Sequence, residues 1–351
     1  MNICRFTDML DRIAFPKDVQ SKKSLAVGLA LRFLETKSGA KQVGLQLNRI
    51  LPSIEANQYD FYFDSIGRTV GFVTWALVDS EMANNLVQTG PLSLPQSEWQ
   101  SGNDLWIIDF FALHGILPDV LTELRDRTFS AHDLITYIRY KGTMRIVKQL
   151  SRRDKTTFFC EPLKDFESEK INLTTGGKFL HAVEAKFSGA VEIGRCALAL
   201  QNAETYVEAP LWKSSYWLRE VIAIRQYRTY LSSDNTPSGL LTWAWLSERT
   251  ISRIAHVPLH DTHTSEWNEG DLFCLCDVAV SETVRDEMEG DILRNLFPQE
   301  LTILLYLPAI NDAPPQLVKV KRAQQSEVIK EWLVRASTYP AINKPLYAVS
   351  A

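Results

Sequence analysis

The chain has 351 residues, of which 45% are hydrophobic and 23% are charged, and its formal net charge is −4. This length is typical of two domains rather than one core. The acidic balance argues against a general nucleic-acid binder or a protein that binds anionic membranes. The five cysteines form no C-x-x-C pair, which favours a reducing compartment without a disulfide framework.

The N-terminal segment and the apolar runs argue against a membrane protein. Asp8 and Asp11 interrupt the apolar part of the N-terminal segment, which is not typical of a signal peptide. The best apolar runs, SLAVGLALRFL and LTILLYLPAI, are about ten residues long, whereas a membrane-spanning helix needs about 20. We therefore expect no integral membrane segment and a cytoplasmic protein.

Hydrophobic periodicity predicts alternating helices and strands. In chain order these are a helix over 40–54, strands over 58–63, 69–78 and 105–113, a helix over 118–129, a strand over 132–140, a helix over 282–297 and a strand over 300–308. This order favours an α/β fold with a mixed, mainly antiparallel sheet flanked by helices.

The second half of the chain repeats the first. Residues 58–109 align without a gap on 226–277, an offset of 168 residues. The identical segments include TWA at 74–76 and 242–244 and SEW at 97–99 and 265–267. A tandem duplication follows, with a first domain at 1–185, which includes a polar linker at 151–178, and a second domain at 186–351.

Two carboxylates occupy equivalent places in the repeat. Asp109 and Asp277 each lie at the end of an apolar strand. A carboxylate there is either desolvated and tuned for chemistry or a cap for the next helix. His114 follows Asp109 by five residues and is a candidate active-site residue or an ordinary loop histidine.

Aromatic and basic residues form two further candidate sites. Trp75, Trp99, Trp243 and Trp267 either line an acyl or aromatic site or pack in the core. A basic segment at 139–155 is either a solvated strand or a docking patch for an acidic partner. Its candidate docking residues are Arg139, Lys141, Arg145, Lys148, Arg152 and Arg153.

Histidine and cysteine clusters give weaker signals. His256, His260 and His263 are close in sequence, but Pro258 argues against the continuous helix that a H-x-x-x-H metal site needs, so we expect no metal. Cys274 and Cys276 lie on one face of a predicted strand. They are either packed in the core or candidates for a nucleophile.

Taken together, the motifs resemble those of the RTX toxin-activating lysine acyltransferases. The motifs that carry the resemblance are LPSIEANQY (51–59), VTWALVDSE (73–81) and EWQSGNDLWIIDF (98–110) in the first copy, and VIAIRQY (221–227), LTWAWLSE (241–248), EWNEGDLFCLCDV (266–278) and LFPQEL (296–301) in the second. Their order and spacing are more specific than any one motif.

The resemblance implies a GNAT-like fold and a cytoplasmic enzyme without a bound cofactor. Such an enzyme takes a fatty acyl group from acyl-acyl carrier protein and forms an amide on an internal lysine of a toxin-like secreted protein. The family usually works as a homodimer, so the tandem copies would form an intramolecular pseudo-dimer. The acidic catalytic position of the family corresponds to Asp109 and Asp277.

The family's catalytic histidine is missing from both copies. The positions that correspond to it hold Ser38 and Tyr206. Either the carboxylates act alone, as base or amine-positioning groups, or His114 substitutes, or the chemistry has been lost. In the last case the protein is an inactive pseudo-acyltransferase that binds a toxin or carrier protein. A CoA-dependent small-molecule N-acyltransferase is a third hypothesis.

Overall fold

The computed structural model describes most of the chain. The described residues are 4–10, 18–38, 43–64, 67, 69–91, 94–113, 116–141, 144–152, 177–201, 218–254, 256, 263–296, 302–307 and 316–337.

Helices and strands alternate along both halves. The α-helices are α1 (Phe6–Leu10), α2 (Val19–Ser38), α3 (Val43–Glu55), α4 (Ser80–Thr89), α5 (Leu117–Glu123), α6 (Gly177–Leu200), α7 (Glu248–Ile254), α8 (Arg285–Asp291) and α9 (Gln325–Ser337). The strands are β1 (Cys4–Arg5), β2 (Tyr59–Phe63), β3 (Thr69–Val78), β4 (Asp104–Ala112), β5 (Leu134–Lys141), β6 (Met144–Ser151), β7 (Tyr227–Leu231), β8 (Pro237–Leu246), β9 (Leu272–Val280), β10 (Thr302–Leu307) and β11 (Gln316–Lys321). A π-helical turn extends α5 over Leu124–Thr128 and another extends α8 over Ile292–Leu296.

The strands form two sheets with the same internal order. The first sheet has the order β1-β2-β3-β4-β5-β6, and the second has the order β7-β8-β9-β10-β11 when read from its other edge. In the first sheet only β4 and β5 are parallel, and in the second only β9 and β10 are parallel, among the strand pairs that the structure describes. A parallel pair needs a crossover connection, which α5 and α8 supply. The fold is therefore α/β, with two tandem mixed sheets that are mainly antiparallel, as the sequence predicts.

The repeat predicted from the sequence is present in the element boundaries. Strands β2 and β7, β3 and β8, and β4 and β9 begin and end 168 residues apart. The two residues that lead into β2 and β7 also match, because Asn57 and Arg225 have positive φ angles of 54° and 56°. An uncommon left-handed conformation at equivalent positions shows that the offset holds at this helix end as well.

A close backbone approach is also repeated. Gly102 and Gly270 precede β4 and β9, and a Cβ atom on them would lie 2.3 Å from Val78 O and 2.1 Å from Leu246 O. These distances leave no room for a side chain, so both copies need glycine where the chain passes the end of the preceding strand.

Buried side chains lie on both faces of the first sheet. One cluster joins Tyr62, Leu105 and Ile135 to the crossover helix. A second cluster on the opposite face contains Trp99 and Trp106. The core of the second sheet includes the crossover helix α8 and the helix α9. The side chains that pack on each sheet hold its central strand in place. The polar residues of that strand therefore have fixed positions.

By contacts, the chain divides into two compact units. The first contains Met1–Asp18 and Leu47–Ser188, and the second contains Val19–Gln46 and Gly189–Ala351. Helix α2 therefore belongs to the second unit, where Gly28 and Gly194 bring α2 and α6 together; a Cβ on Gly28 would lie 1.8 Å from Ala190 O. The domain boundary near residue 185 remains a prediction about the repeat.

Among the helices that the structure describes, none has both the length and the hydropathy that a bilayer span requires.

Candidate functional site

Asp109 lies on β4, which is an interior strand of the first sheet, between β3 and β5. The residue is 3% exposed, and the neighbouring Thr74 of β3 is fully buried. The Thr74 hydroxyl accepts a hydrogen bond from the Asp109 backbone N–H at 3.0 Å and donates one to Asp109 Oδ2 at 3.3 Å. This reciprocal pair holds the carboxylate against the sheet.

Asp277 has the same arrangement in the second unit. It is 2% exposed and lies on β9 beside the fully buried Thr242 of β8. The Thr242 hydroxyl accepts from the Asp277 N–H at 3.1 Å and donates to Asp277 Oδ2 at 2.7 Å. The two carboxylates are therefore equivalent in structure as well as in sequence.

An irregularity in strand pairing explains why each aspartate needs a threonine. The β3–β4 register shifts between Thr74 and Trp75, and the β8–β9 register shifts between Leu241 and Trp243. Such a bulge leaves a residue of the longer strand unpaired in the ladder. The threonine hydroxyl takes the backbone N–H that the ladder leaves free. Bulges are frequent beside functional sites because they redirect side chains.

Arg49 of α3 forms an ion pair with Asp109. Its Nε donates to Asp109 Oδ2 at 3.0 Å, and its Nη2 donates to Oδ1. This bidentate geometry is the strong form of an arginine–carboxylate contact. The Arg49 side chain is 18% exposed, whereas that of Asp109 is 1% exposed. The guanidinium is therefore the more exposed partner of this ion pair.

The position equivalent to Arg49 in the second copy has a different chemistry. The residue 168 positions later is Trp217, which lies outside the described residues and has no positive charge. The threonine–aspartate pair is thus repeated, whereas position 49 holds arginine in the first copy and its sequence equivalent in the second holds tryptophan. Both carboxylates are candidates from the sequence alone. Arg49, Thr74 and Thr242 were not predicted, although the threonines open the repeated TWA segments.

The four candidate tryptophans fall into two pairs. Trp99 and Trp267 are each 3% exposed and lie in the core. Trp75 and Trp243 are partly buried and pack against the crossover-helix clusters, and Trp75 meets Phe129 edge-on with ring centroids 5.3 Å apart. Their role in lining an acyl site remains a prediction, and the partly buried pair is the better placed for it.

The candidate docking residues lie mainly on the β5–β6 hairpin. Arg139, Arg145 and Lys148 are exposed there. The guanidinium of Arg152 instead donates to the backbone carbonyls of His132, Arg125 and Ser130 at 3.2, 3.2 and 3.3 Å. Lys141 ends β5, and Arg153 lies outside the described residues.

The remaining histidines and cysteines give no further site. His114 and His260 lie outside the described residues, and His263 caps a short helical turn by accepting from Ser265 N at 3.2 Å. Within the described ranges, no group of three or more His, Cys, Asp and Glu residues is arranged to hold a metal ion. Burial raises the pKa of the Cys276 thiol well above its usual value, which disfavours the thiolate that a nucleophile needs.

These features define a class: a tandem α/β protein with a buried threonine-bound carboxylate on the central strand of each unit. The sequence profile of the RTX toxin acyltransferase family matches residues 21–154 and 187–332. The two matches cover more than half of the chain and coincide with its two copies, so the chain belongs to this family.

Two curated relatives are similar over part of the chain. The lysine-acyltransferase RtxC of Vibrio cholerae is 36% identical over 83 residues, which are 24% of this chain and 54% of the relative. The uncharacterized protein sll0720 of Synechocystis sp. is 27% identical over 88 residues, which are 25% of this chain and 59% of the relative. The chain thus spans somewhat more than half the length of these relatives.

Proposed function

We propose that this protein transfers a fatty acyl group from acyl-acyl carrier protein to an internal lysine of a toxin-like protein. The observation that carries the proposal is the buried Thr–Asp pair at a strand bulge, present in both units of a chain that belongs to the RTX toxin acyltransferase family. The name of the Vibrio cholerae relative, a lysine-acyltransferase, supports lysine as the acceptor.

The reaction joins an amine to a thioester carbonyl. A lysine amine is mostly protonated at neutral pH and must lose a proton before it attacks. The oxyanion that forms must then be stabilised. In this proposal Asp109 organises the site of the first unit, and Asp277 is its counterpart, as a base or as an amine-positioning group.

The acyl donor would dock on the β5–β6 hairpin through the exposed Arg139 and Lys148, which lie on one face of the sheet, whereas Arg145 lies on the other. Oppositely charged surfaces mainly accelerate encounter and fix orientation. Replacing Arg139 and Lys148 with glutamate should raise the KM for acyl-acyl carrier protein about tenfold at low salt, and added salt should reduce the effect. The control is Lys319→Glu with Lys321→Glu on β11, where the same charge change should leave KM unaltered.

A cytoplasmic location is part of the proposal. The cysteines that the structure describes, Cys196, Cys274 and Cys276, are free and buried, which fits a reducing compartment.

The test measures lysine acylation by mass spectrometry. The protein is incubated with acyl-acyl carrier protein and a candidate toxin-like substrate, and the acyl mass is located on peptides. Asp109→Asn and Asp277→Asn are each expected to lower the rate about 10²-fold if that unit is active. Asp104→Asn and Asp271→Asn, which change exposed carboxylates at the start of β4 and just before β9, serve as controls. Unchanged acylation in both buried-site variants would remove these residues from the mechanism.

One observation favours a second candidate, a non-catalytic binding module. Arg49 binds both carboxylate oxygens of Asp109, and Ser38 and Tyr206 stand where the family has its histidine. Tight binding of the carrier protein without transfer to any acceptor would favour this candidate over the enzyme.

A further inference from the structure

We propose that Arg49 is a catalytic residue of the first unit and that Asp109 is the residue that positions it. In this inference, which rests on the proposed acyl transfer, Nη1 of Arg49 donates a hydrogen bond to the carbonyl oxygen of the thioester. From the sequence the carboxylate is the leading candidate for the chemistry, whereas the geometry assigns contact with substrate to the guanidinium.

Two hydrogen bonds to Asp109 hold the Arg49 side chain in one orientation. Asp109 Oδ2 accepts from Nε at 3.0 Å, and Oδ1 accepts from Nη2. Because a guanidinium is planar, fixing two of its nitrogens fixes the direction of the third. Helix α3 is itself anchored by Leu47 and Ile50, which are 1% and 0% exposed. The N–H groups of Nη1 are therefore held in place before any substrate arrives.

Arg49 is the more exposed partner of this ion pair. The Arg49 side chain is 18% exposed, and that of Asp109 is 1% exposed. Among the described residues, Nη1 has no hydrogen-bond partner. The guanidinium is therefore the more accessible partner of this pair to a substrate.

The carboxylate oxygens of Asp109 already accept several hydrogen bonds. Oδ2 accepts from Arg49 Nε and from Thr74 Oγ1, and Oδ1 accepts from Arg49 Nη2. A carboxylate has about four lone-pair positions, and at least three of them are occupied by these contacts. Positioning is thus a better role for Asp109 than proton abstraction.

The chemical step balances without another reactant. The lysine ammonium first releases one proton to water. Its nitrogen then forms a bond to the thioester carbonyl carbon, and the C–S bond breaks. The electron pair of that bond leaves with the sulfur as a thiolate, and the proton lost by the amine neutralises it as a thiol. Between these events the carbonyl oxygen is negatively charged, and a fixed, charged donor stabilises that state more than the neutral thioester.

The assignment is specific to the first unit. The equivalent position in the second copy is Trp217. An indole has one neutral N–H donor, whereas a guanidinium is positively charged and has several. We therefore assign transfer through this arginine to the first unit.

Arg49→Lys is the direct test. Lysine keeps the positive charge and a contact with Asp109, but it lacks the planar guanidinium whose second pair of N–H groups would contact the substrate. We expect kcat for acyl transfer to fall about 10²–10³-fold, the usual effect of removing one oxyanion donor, with KM for acyl-acyl carrier protein within about threefold. A purely structural arginine would instead lower the thermal midpoint and leave kcat of the folded protein unaltered, and that result overturns the inference.

A neutral pair, Arg49→Gln with Asp109→Asn, covers the case in which the single variant does not fold. It removes both charges together, so no buried carboxylate is left without a partner. We expect a folded protein with a similar loss in kcat, and wild-type kcat in this variant would overturn the proposal. The control is Arg228→Lys, which alters the Arg228–Asp291 ion pair of the second unit and should retain kcat.

The outcomes separate this inference from the proposed function. Transfer by the wild type that persists in both Arg49 variants and is lost in Asp277→Asn would retain the acyltransferase and overturn the role of Arg49. Absence of transfer by the wild type with every donor and acceptor would overturn both.

Discussion

Thr242 and Asp277 exchange two hydrogen bonds across neighbouring strands, with the hydroxyl accepting from the Asp277 N–H and donating to its carboxylate. Thr74 and Asp109 do the same 168 residues earlier. Both pairs compensate for a bulge that would otherwise leave a buried N–H without an acceptor.

Thr242→Val should therefore destabilise the protein without leaving a cavity. Valine has nearly the same shape, but Asp277 loses a donor to its carboxylate and an acceptor for its N–H. We expect a loss of about 1–3 kcal/mol in the free energy of unfolding, measured by urea denaturation. Thr229→Val on the adjacent strand β7 is the control. Equal losses in the two variants would contradict the proposed role of the hydroxyl.

The equivalent tyrosines Tyr62 and Tyr230 should respond oppositely to loss of their hydroxyls. Tyr230 donates to Asp291 Oδ2 at 2.7 Å, so Tyr230→Phe should cost about 1–3 kcal/mol. The buried Tyr62 hydroxyl forms no hydrogen bond of good geometry among the described residues, although the Thr128 hydroxyl lies near enough to interact with it. Tyr62→Phe should therefore be neutral or stabilising, because the desolvation cost of that hydroxyl disappears. Thermal unfolding of both variants checks this, and a larger loss at Tyr62 would refute it.

Gly194→Ala should loosen the contact between α2 and α6. The new Cβ would lie 1.8 Å from the backbone oxygen of Ser24, so the helices must separate. We expect a loss of about 1–3 kcal/mol in unfolding free energy, as for other overpacked sites. Gly189→Ala, in the same helix with no atom within 4 Å of its Cβ, should instead stabilise by about 0.5–1 kcal/mol through helix propensity. Similar changes at both glycines would show that the crossing is not tight.

Tyr59 should make stability fall with pH in the alkaline range. Burial, with a smaller contribution from the Asp60 carboxylate, raises the pKa of Tyr59 to about 12, whereas an unfolded tyrosine ionises near pH 10. Between these values the unfolded chain has lost the proton and the folded chain retains it. The contribution of Tyr59 is therefore complete below about pH 10 and is lost as the pH rises towards 12.

The measurement is the absorbance of phenolate during alkaline titration of the wild type and of Tyr59→Phe. Their difference isolates Tyr59 and should show ionisation at about pH 12. A difference curve with its midpoint near pH 10 would contradict the burial argument.

The sequence alone determined the repeat, the mixed sheets and the equivalence of Asp109 with Asp277. These features are local or periodic: alternation marks each strand, and identical tryptophans fix the offset between copies. The resemblance to the RTX toxin acyltransferases rested on the same segments, and the family match confirmed it.

Only the tertiary structure decided which groups surround the carboxylates. Arg49 precedes Asp109 by 60 residues and Thr74 precedes it by 35, and no periodic pattern relates side chains across such distances. Their contacts depend on strand register, on the bulge and on how α3 packs against the sheet. Likewise, the grouping of α2 with the second unit depends on how closely two backbones approach at Gly28 and Gly194. Periodicity predicts which face of a helix is apolar, but it does not identify the surface against which that face packs.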